Sequence, residues 1–167
     1  ASNWFAQEQA RTGQRAAQLM GRQLWKAFTA FHLTPDPTFW YYPQKPLLDV
    51  VGGALMLVGL VTSILRLWQT NRSTILLWFV TTTLAAWGIT ENPPSSQRGL
   101  LLMPAVAMMI AWGLDEVMRW LRLELGQRRL TYGFLLLIAV LNGVFYFAIY
   151  TPRRSYGNPT AEIATAV

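Results

Sequence analysis

The densest collection of polar groups in the sequence is Glu91-Asn92-Pro93-Pro94-Ser95-Ser96-Gln97-Arg98. Two prolines stiffen the segment, two hydroxyls and a guanidinium follow, and an apolar helix is expected to start directly after it. The first N–H groups of a helix lack partners within it, and the helix dipole adds partial positive charge there. Ser95, Ser96 and Arg98 at such a point suit an anion, for instance a lipid phosphate. A tight loop capped by serine is the other reading of the same residues.

Other chemistry is thinly furnished. His32 is the single histidine and cysteine is absent. That excludes thiolate metal sites, iron–sulfur clusters, cysteine-attached haem and a two-histidine haem built from this chain alone. His32 stands beside aromatics and reads as structural. Six carboxylates are candidates for a role: Asp36, Asp49, Glu91, Asp115, Glu116 and Glu124. None falls in the middle of an apolar run, where an ionisable group would mark a proton or ion pathway, so a pump or channel is disfavoured. Asp49 reads as a helix cap, and Asp115 and Glu116 read as solvated surface. No serine has a base near it in sequence, and no glycine-rich phosphate loop occurs. No catalytic residue, metal or cofactor is expected. The basic residues are scattered at the ends of apolar runs, which points to lipid headgroups and away from nucleic acid.

The elements that must position these groups are set by composition. The chain has 167 residues, 53% of them hydrophobic and 13% charged, with a net charge of +6. A soluble domain carries roughly twice that charged share, about 25%. Four apolar runs stand out: Leu47–Trp68, Ser73–Thr90, Gly99–Leu114 and Leu130–Tyr150. Crossing a hydrocarbon core of roughly 30 Å takes about 20 helical residues at 1.5 Å each. The third run is short and carries Pro104 near its start, where a proline costs little. The expected fold is all-α and integral to the membrane, with four transmembrane helices over residues 47–150. Short connections around Gln69–Arg72, Glu91–Arg98 and Asp115–Arg129 make each helix antiparallel to the one before. Gly59 with Ser63, and Ala107 with Ala111, are spaced for close helix approach, and Asn142 is expected to bond to a neighbouring helix.

Residues 1–46 differ. Ala16, Ala17, Met20, Leu24, Phe28 and Phe31 recur on one helical face, with Arg11, Arg15, Arg22 and Lys26 among them. This is an amphipathic helix that lies in the headgroup plane or packs its stripe on a protein partner. Pro35, Pro37, Pro43 and Pro46 then break any helix. Trp25, Trp40, Tyr41 and Tyr42 are expected interfacial anchors, the last three within the aromatic belt Phe39-Trp40-Tyr41-Tyr42. Residues 151–167 form a polar tail, expected to be poorly ordered unless a partner holds it. The sequence opens on alanine with no signal-like apolar run, so the chain is expected to be cut or part of something longer.

Positive charge near span ends favours the cytoplasm. Lys45, Arg98, Arg153 and Arg154 fall on one side, and Arg66, Arg72, Arg119, Arg122, Arg128 and Arg129 on the other. Both termini are therefore expected to be extracytoplasmic, in a bacterial inner membrane.

The run Pro93-Pro94-Ser95-Ser96-Gln97-Arg98-Gly99-Leu100, followed by Leu102-Met103-Pro104-Ala105-Val106-Ala107, resembles the carboxy-terminal half of GT-C-type membrane glycosyltransferases. These are the bacterial enzymes like dolichyl-phosphate-mannose protein mannosyltransferases. Pro46-Leu47-Leu48-Asp49, opening a span after an aromatic segment, also looks like that family, and the likeness covers roughly residues 25–150. The resemblance implies that the proline loop faces outside near the lipid-linked sugar and that Arg98 contacts its phosphate. The family's catalytic acid lies in an early extracytoplasmic loop upstream of anything matched here, so no catalytic carboxylate carries over.

Two functional readings follow. The first is a non-catalytic accessory or structural transmembrane subunit, with membrane lipids and other integral membrane subunits as partners. An electron-transfer complex, respiratory or photosynthetic, is one host that fits. The second is the carboxy-terminal membrane part of a lipid-carrier-dependent glycosyltransferase.

Overall fold

The computed structural model describes residues 4–37, 44–90, 93–121 and 127–153, and these are helical with no strand among them. The helices are α1 (Trp4–Thr12), α2 (Ala16–Thr29), α3 (Val50–Leu65), α4 (Thr70–Thr83), α5 (Met103–Trp120) and α6 (Gln127–Gly143). α4 runs on through a π-helical stretch, Leu84–Gly88, and α6 through another, Val144–Tyr150, before a last turn at Thr151–Arg153. A 3-10 turn, Arg98–Leu102, leads into α5.

Two of these elements are long and apolar enough to cross a membrane: Arg98–Trp120, with 23 residues, and Arg129–Tyr150, with 22. At about 1.5 Å per residue both exceed the roughly 30 Å hydrocarbon core. The third apolar run is therefore not short. It continues past Leu114 because Arg119 reaches back to Asp115 at 3.3 Å and also to Glu116, helical pairs that hold the last turns together. Pro104 stands in its first turn, as expected. The first apolar run is shorter than expected. Asp49 starts α3 by accepting the amides of Val51 and Gly52, and Arg66 leaves helical geometry, which cuts the helix to 16 residues.

α3 and α5 form the centre. They cross at Gly59 and Gly113 so closely that a Cβ on Gly59 would collide with the Met109 carbonyl, and one on Gly113 with the Leu55 carbonyl. The contact is reciprocal and backbone to backbone, the geometry in which small residues let membrane helices approach. Gly59 was expected here; Ala107 and Ala111 are not its partners, since both face outward. Gly113 takes that role, because the face of α5 turned to α3 carries Ala105, Val106 and Met109 instead.

The amphipathic helix packs within the chain. Leu19, Gln23, Ala27, Ala30 and Phe31 are buried, a line offset by about one residue from the expected stripe. Phe31 lies 5.7 Å from Phe79 and 5.5 Å from Trp87, ring centre to ring centre. These rings join Met56, Leu102 and Met109 in the main core. Each fully buried side chain of this size contributes about 1.5–3 kcal/mol. Met20, Trp25 and Phe28 stay exposed. α6 touches the rest lightly: Phe134 and Ile138 pack on Leu55, Leu114 and Met118.

Candidate functional site

The proline loop lies at the end of the molecule where α3 and α5 begin. The Pro93–Pro94 bond is cis, and Pro93, Pro94 and Ser95 are buried while Gln97 and Arg98 are exposed. The Ser95 carbonyl accepts the Trp87 indole N–H at 2.8 Å and the Gly99 amide at 2.9 Å. Gly99 is required there, because a Cβ would strike the Trp87 ring. The Ser96 amide donates to Asp36 Oδ2 at 2.7 Å, and Asp36 is fully buried. Ser95, Ser96 and Arg98 thus share one turn, but a carboxylate of this chain already holds the Ser96 amide. A charge in place weakens the pull on a second anion. Asp36 stood among the candidate carboxylates, but its bond to the Ser96 amide joins positions 60 residues apart, which residue spacing does not reveal. Only the proline-rich setting of Pro35-Asp36-Pro37 hinted that the segment does more than connect.

A lateral cavity of about 760 Å³ lies between the end of α2, the start of α3 and α6. Its walls include Phe31, His32, Lys45, Asp49, Leu57 and Leu141. That volume is within the usual ligand range of roughly 300–1,000 Å³. Its polar groups are fixed. His32 Nε2 lies 3.0 Å from the Gly53 carbonyl, which only accepts, so Nε2 carries the proton. Asp49, besides capping α3, accepts Asn142 Nδ2 at 2.8 Å. Asn142 therefore does bond across helices, and its partner is the cap residue. Lys45 Nζ sits 3.2 Å from the centre of the Phe145 ring. Burial pushes the Lys45 amine below its ordinary value, partly offset by the Asp49 carboxylate. Apolar walls with one cation and one anion at the rim suit an elongated apolar ligand.

The opposite end is basic. Arg66 meets Glu116 at 3.2 Å, and Arg119 binds both Asp115 and Glu116. Glu116 is buried, so the solvated reading fails for it, while Asp115 does lie exposed. The correction has a simple cause: the helix extends past Leu114, which turns Glu116 inward beneath Arg66. Arg72, also buried, stacks on Trp112 with its guanidinium carbon 4.0 Å from the ring centre. The sequence offered one signal for this, an arginine next to a charge-free run.

Among the expected anchors, Trp25 is 65% exposed. Trp40, Tyr41 and Tyr42, and Glu91, Asn92, Arg122, Glu124 and the tail from residue 154, lie outside the described residues. Compared with protein-family models, curated proteins and solved structures, the chain matches none.

Proposed function

We propose that this chain is a non-catalytic transmembrane module that packs against other membrane polypeptide in a larger integral-membrane assembly. The observation that supports it most is α6 and its continuation. Arg129–Tyr150 is apolar enough to span, and none of its most apolar stretch is buried within the chain. Leu136 is 65% exposed and Phe147 73%. Lipid can cover such a surface, but Phe145, Tyr146 and Tyr150 form a stacked aromatic ridge at one end of it, a shape that favours a protein groove. In this reading α3 and α4 also cross the membrane, giving four spans, and both termini face outward from a bacterial inner membrane. An electron-transfer complex remains one host of suitable kind.

The test is photo-crosslinking of the full chain in its native membrane from Leu136, Val140 and Phe147. A discrete protein adduct is expected from those sites and not from Gln97. Adducts to lipid alone would overturn the assembly. Because the chain has no cysteine, single cysteines at Gln69 and Gln97 report topology cleanly. Labelling of both from the same side would overturn four spans.

A second reading, the carboxy-terminal membrane part of a lipid-carrier-dependent glycosyltransferase, is favoured by the lateral cavity with apolar walls. An isoprenoid tail suits its walls, and Arg98 would contact the phosphate. Co-purification of a polyprenyl phosphate, lost in Arg98→Ala, distinguishes it. In that case the crosslinked neighbour is a segment of the same polypeptide.

A further inference from the structure

We infer that the end of the molecule formed by Arg66, Arg72 and Arg119 binds the phosphoryl group of an anionic phospholipid, with Arg72 as its central contact. The inference rests on the membrane reading proposed above, but on different residues from the proline loop and the lateral cavity.

Among the described residues the charges there do not balance. Asp115 and Glu116 are both committed to Arg119, and Glu116 also to Arg66. Three guanidinium groups thus face two carboxylates, and Arg72 is the one left over. The residue is only 6% exposed, and Nη1 has no hydrogen-bond partner among the described residues. Arg66, Arg119, Asp115 and Glu116 all act on it electrostatically. A guanidinium stays protonated at any ordinary pH, so it cannot escape burial by losing its proton. Trp112 meets one face of the guanidinium, but the enclosed Nη1 is left without an acceptor; such a group is costly to a fold, and a folded chain that keeps one points to a counter-ion supplied from outside.

The surroundings identify that counter-ion. Trp68, 84% exposed, follows α3, and Trp120, 63% exposed, ends α5. Arg66 joins these two helix ends through Glu116. Exposed tryptophans at the end of spanning helices sit at headgroup depth. The anion abundant at that depth is the lipid phosphate, and planar guanidinium groups pair with phosphoryl oxygens two bonds at a time. Trp112 holds the Arg72 plane against α5, which fixes its direction before any ligand arrives. A carboxylate on a partner subunit would neutralise Arg72 as well, but among the described residues the two exposed tryptophans select the headgroup layer.

The experiment uses the full chain in vesicles of phosphatidylcholine alone or of phosphatidylcholine with phosphatidylglycerol. Two readouts are taken: the phosphatidylglycerol retained after gentle extraction, by native mass spectrometry, and the unfolding temperature. The wild type should enrich phosphatidylglycerol by roughly tenfold, the size of one charge-assisted contact. Arg72→Gln should abolish the enrichment, and Arg72→Lys should keep part of it. Arg129→Gln, an exposed charge on α6, should leave it intact and so separate a site from general surface potential. Arg72→Met gives a signature that misfolding cannot imitate. In lipid-free micelles it should unfold at a higher temperature than wild type, because the unpaired charge is gone. With phosphatidylglycerol the order should reverse. Inorganic phosphate added to lipid-free micelles should reproduce little of the shift; reproducing all of it would assign the site to free phosphate and overturn the headgroup. A chain that stays with the vesicles but shows no Arg72-dependent selectivity overturns the inference and leaves the membrane reading standing. A chain that does not float with the vesicles overturns the membrane reading itself.

Discussion

α5 and α6 carry nearly the same signal in sequence, an apolar run bounded by arginines, yet the molecule uses them in opposite ways. The spanning stretch of α5 is 39% buried and that of α6 is 0% buried. α5 is locked to α3 by backbone contact at Gly59 and Gly113, and its C-terminal turns are pinned by Glu116 and Arg66. α6 is held by Phe134, Ile138, the Asn142–Asp49 bond and the Lys45–Phe145 contact. The difference teaches that hydropathy reports what a helix can be immersed in, whereas small residues report what it is packed against. α5 has a glycine at the crossing, and Gly133 and Gly143 of α6 meet nothing within 4 Å.

The comparison breaks most sharply at the crossing. Gly59→Val or Gly113→Val forces two backbones apart, with no flexible side chain to give way. Overpacking in a tight core costs about 1–3 kcal/mol, and this case belongs at the upper end or above it. Thermal unfolding in mild detergent should show a large loss for either variant, and Gly133→Val in α6 should show almost none. Equal effects at the three positions would mean that α6 is as tightly packed as α5.

This asymmetry also marks what could be read from sequence. The all-helical class, the cap at Asp49, the cross-helix bond of Asn142 and the role of Gly59 were legible because each depends on residue type and near neighbours. Gly113, Asp36 and Glu116 were not. Gly113 works only once α5 is rotated against α3, and Asp36 only once residues 60 apart meet. Glu116 is buried because the helix outruns its apolar stretch. The stripe on α2 was found but placed a turn's fraction off, since the alanines at positions 27 and 30 pack as closely as larger residues. Long-range geometry, not local preference, decides each of these.

Asp49 is where the two regions are joined, and it gives the next largest effect. Asp49→Ala removes the cap from Val51 and Gly52 and strands the Asn142 amide. Losing a cap costs typically about 1 kcal/mol, and an interhelical hydrogen bond in a membrane adds on average about 0.6. Asn142→Leu should lose only the second part. If both variants cost the same, the cap is irrelevant and the link to α6 is everything. Leu136→Ala, on the open face of α6, should change the stability of the isolated chain by less than about 0.5 kcal/mol. The same substitution should reduce crosslinking to the neighbouring polypeptide, which no substitution at the α3–α5 crossing should do selectively.

The smallest effect sharpens the comparison from the first two helices. Glu8 on α1 pairs with Arg11 at 2.9 Å and with Arg22 on α2 at 3.0 Å, so it ties the first helix to the second. The hydrogen bond from Arg11 holds the Glu8 carboxyl below its ordinary value; desolvation opposes it, and the Arg11 charge and the Arg22 hydrogen bond and charge add to it. A carboxyl with a depressed folded value contributes stability that is complete above the unfolded value and is lost as pH falls through the folded one. The pairs are solvent-screened, so the effect is local. A spin label at Ala10 should therefore gain mobility as the pH drops below the ordinary carboxylate range, and in Glu8→Gln it should be mobile at every pH. The α3–α5 crossing contains no such group, so a label at Leu57 should not respond. Parallel changes at both sites would mean that acid loosens the whole molecule, and that α1 is bound to its core more firmly than two surface ion pairs allow.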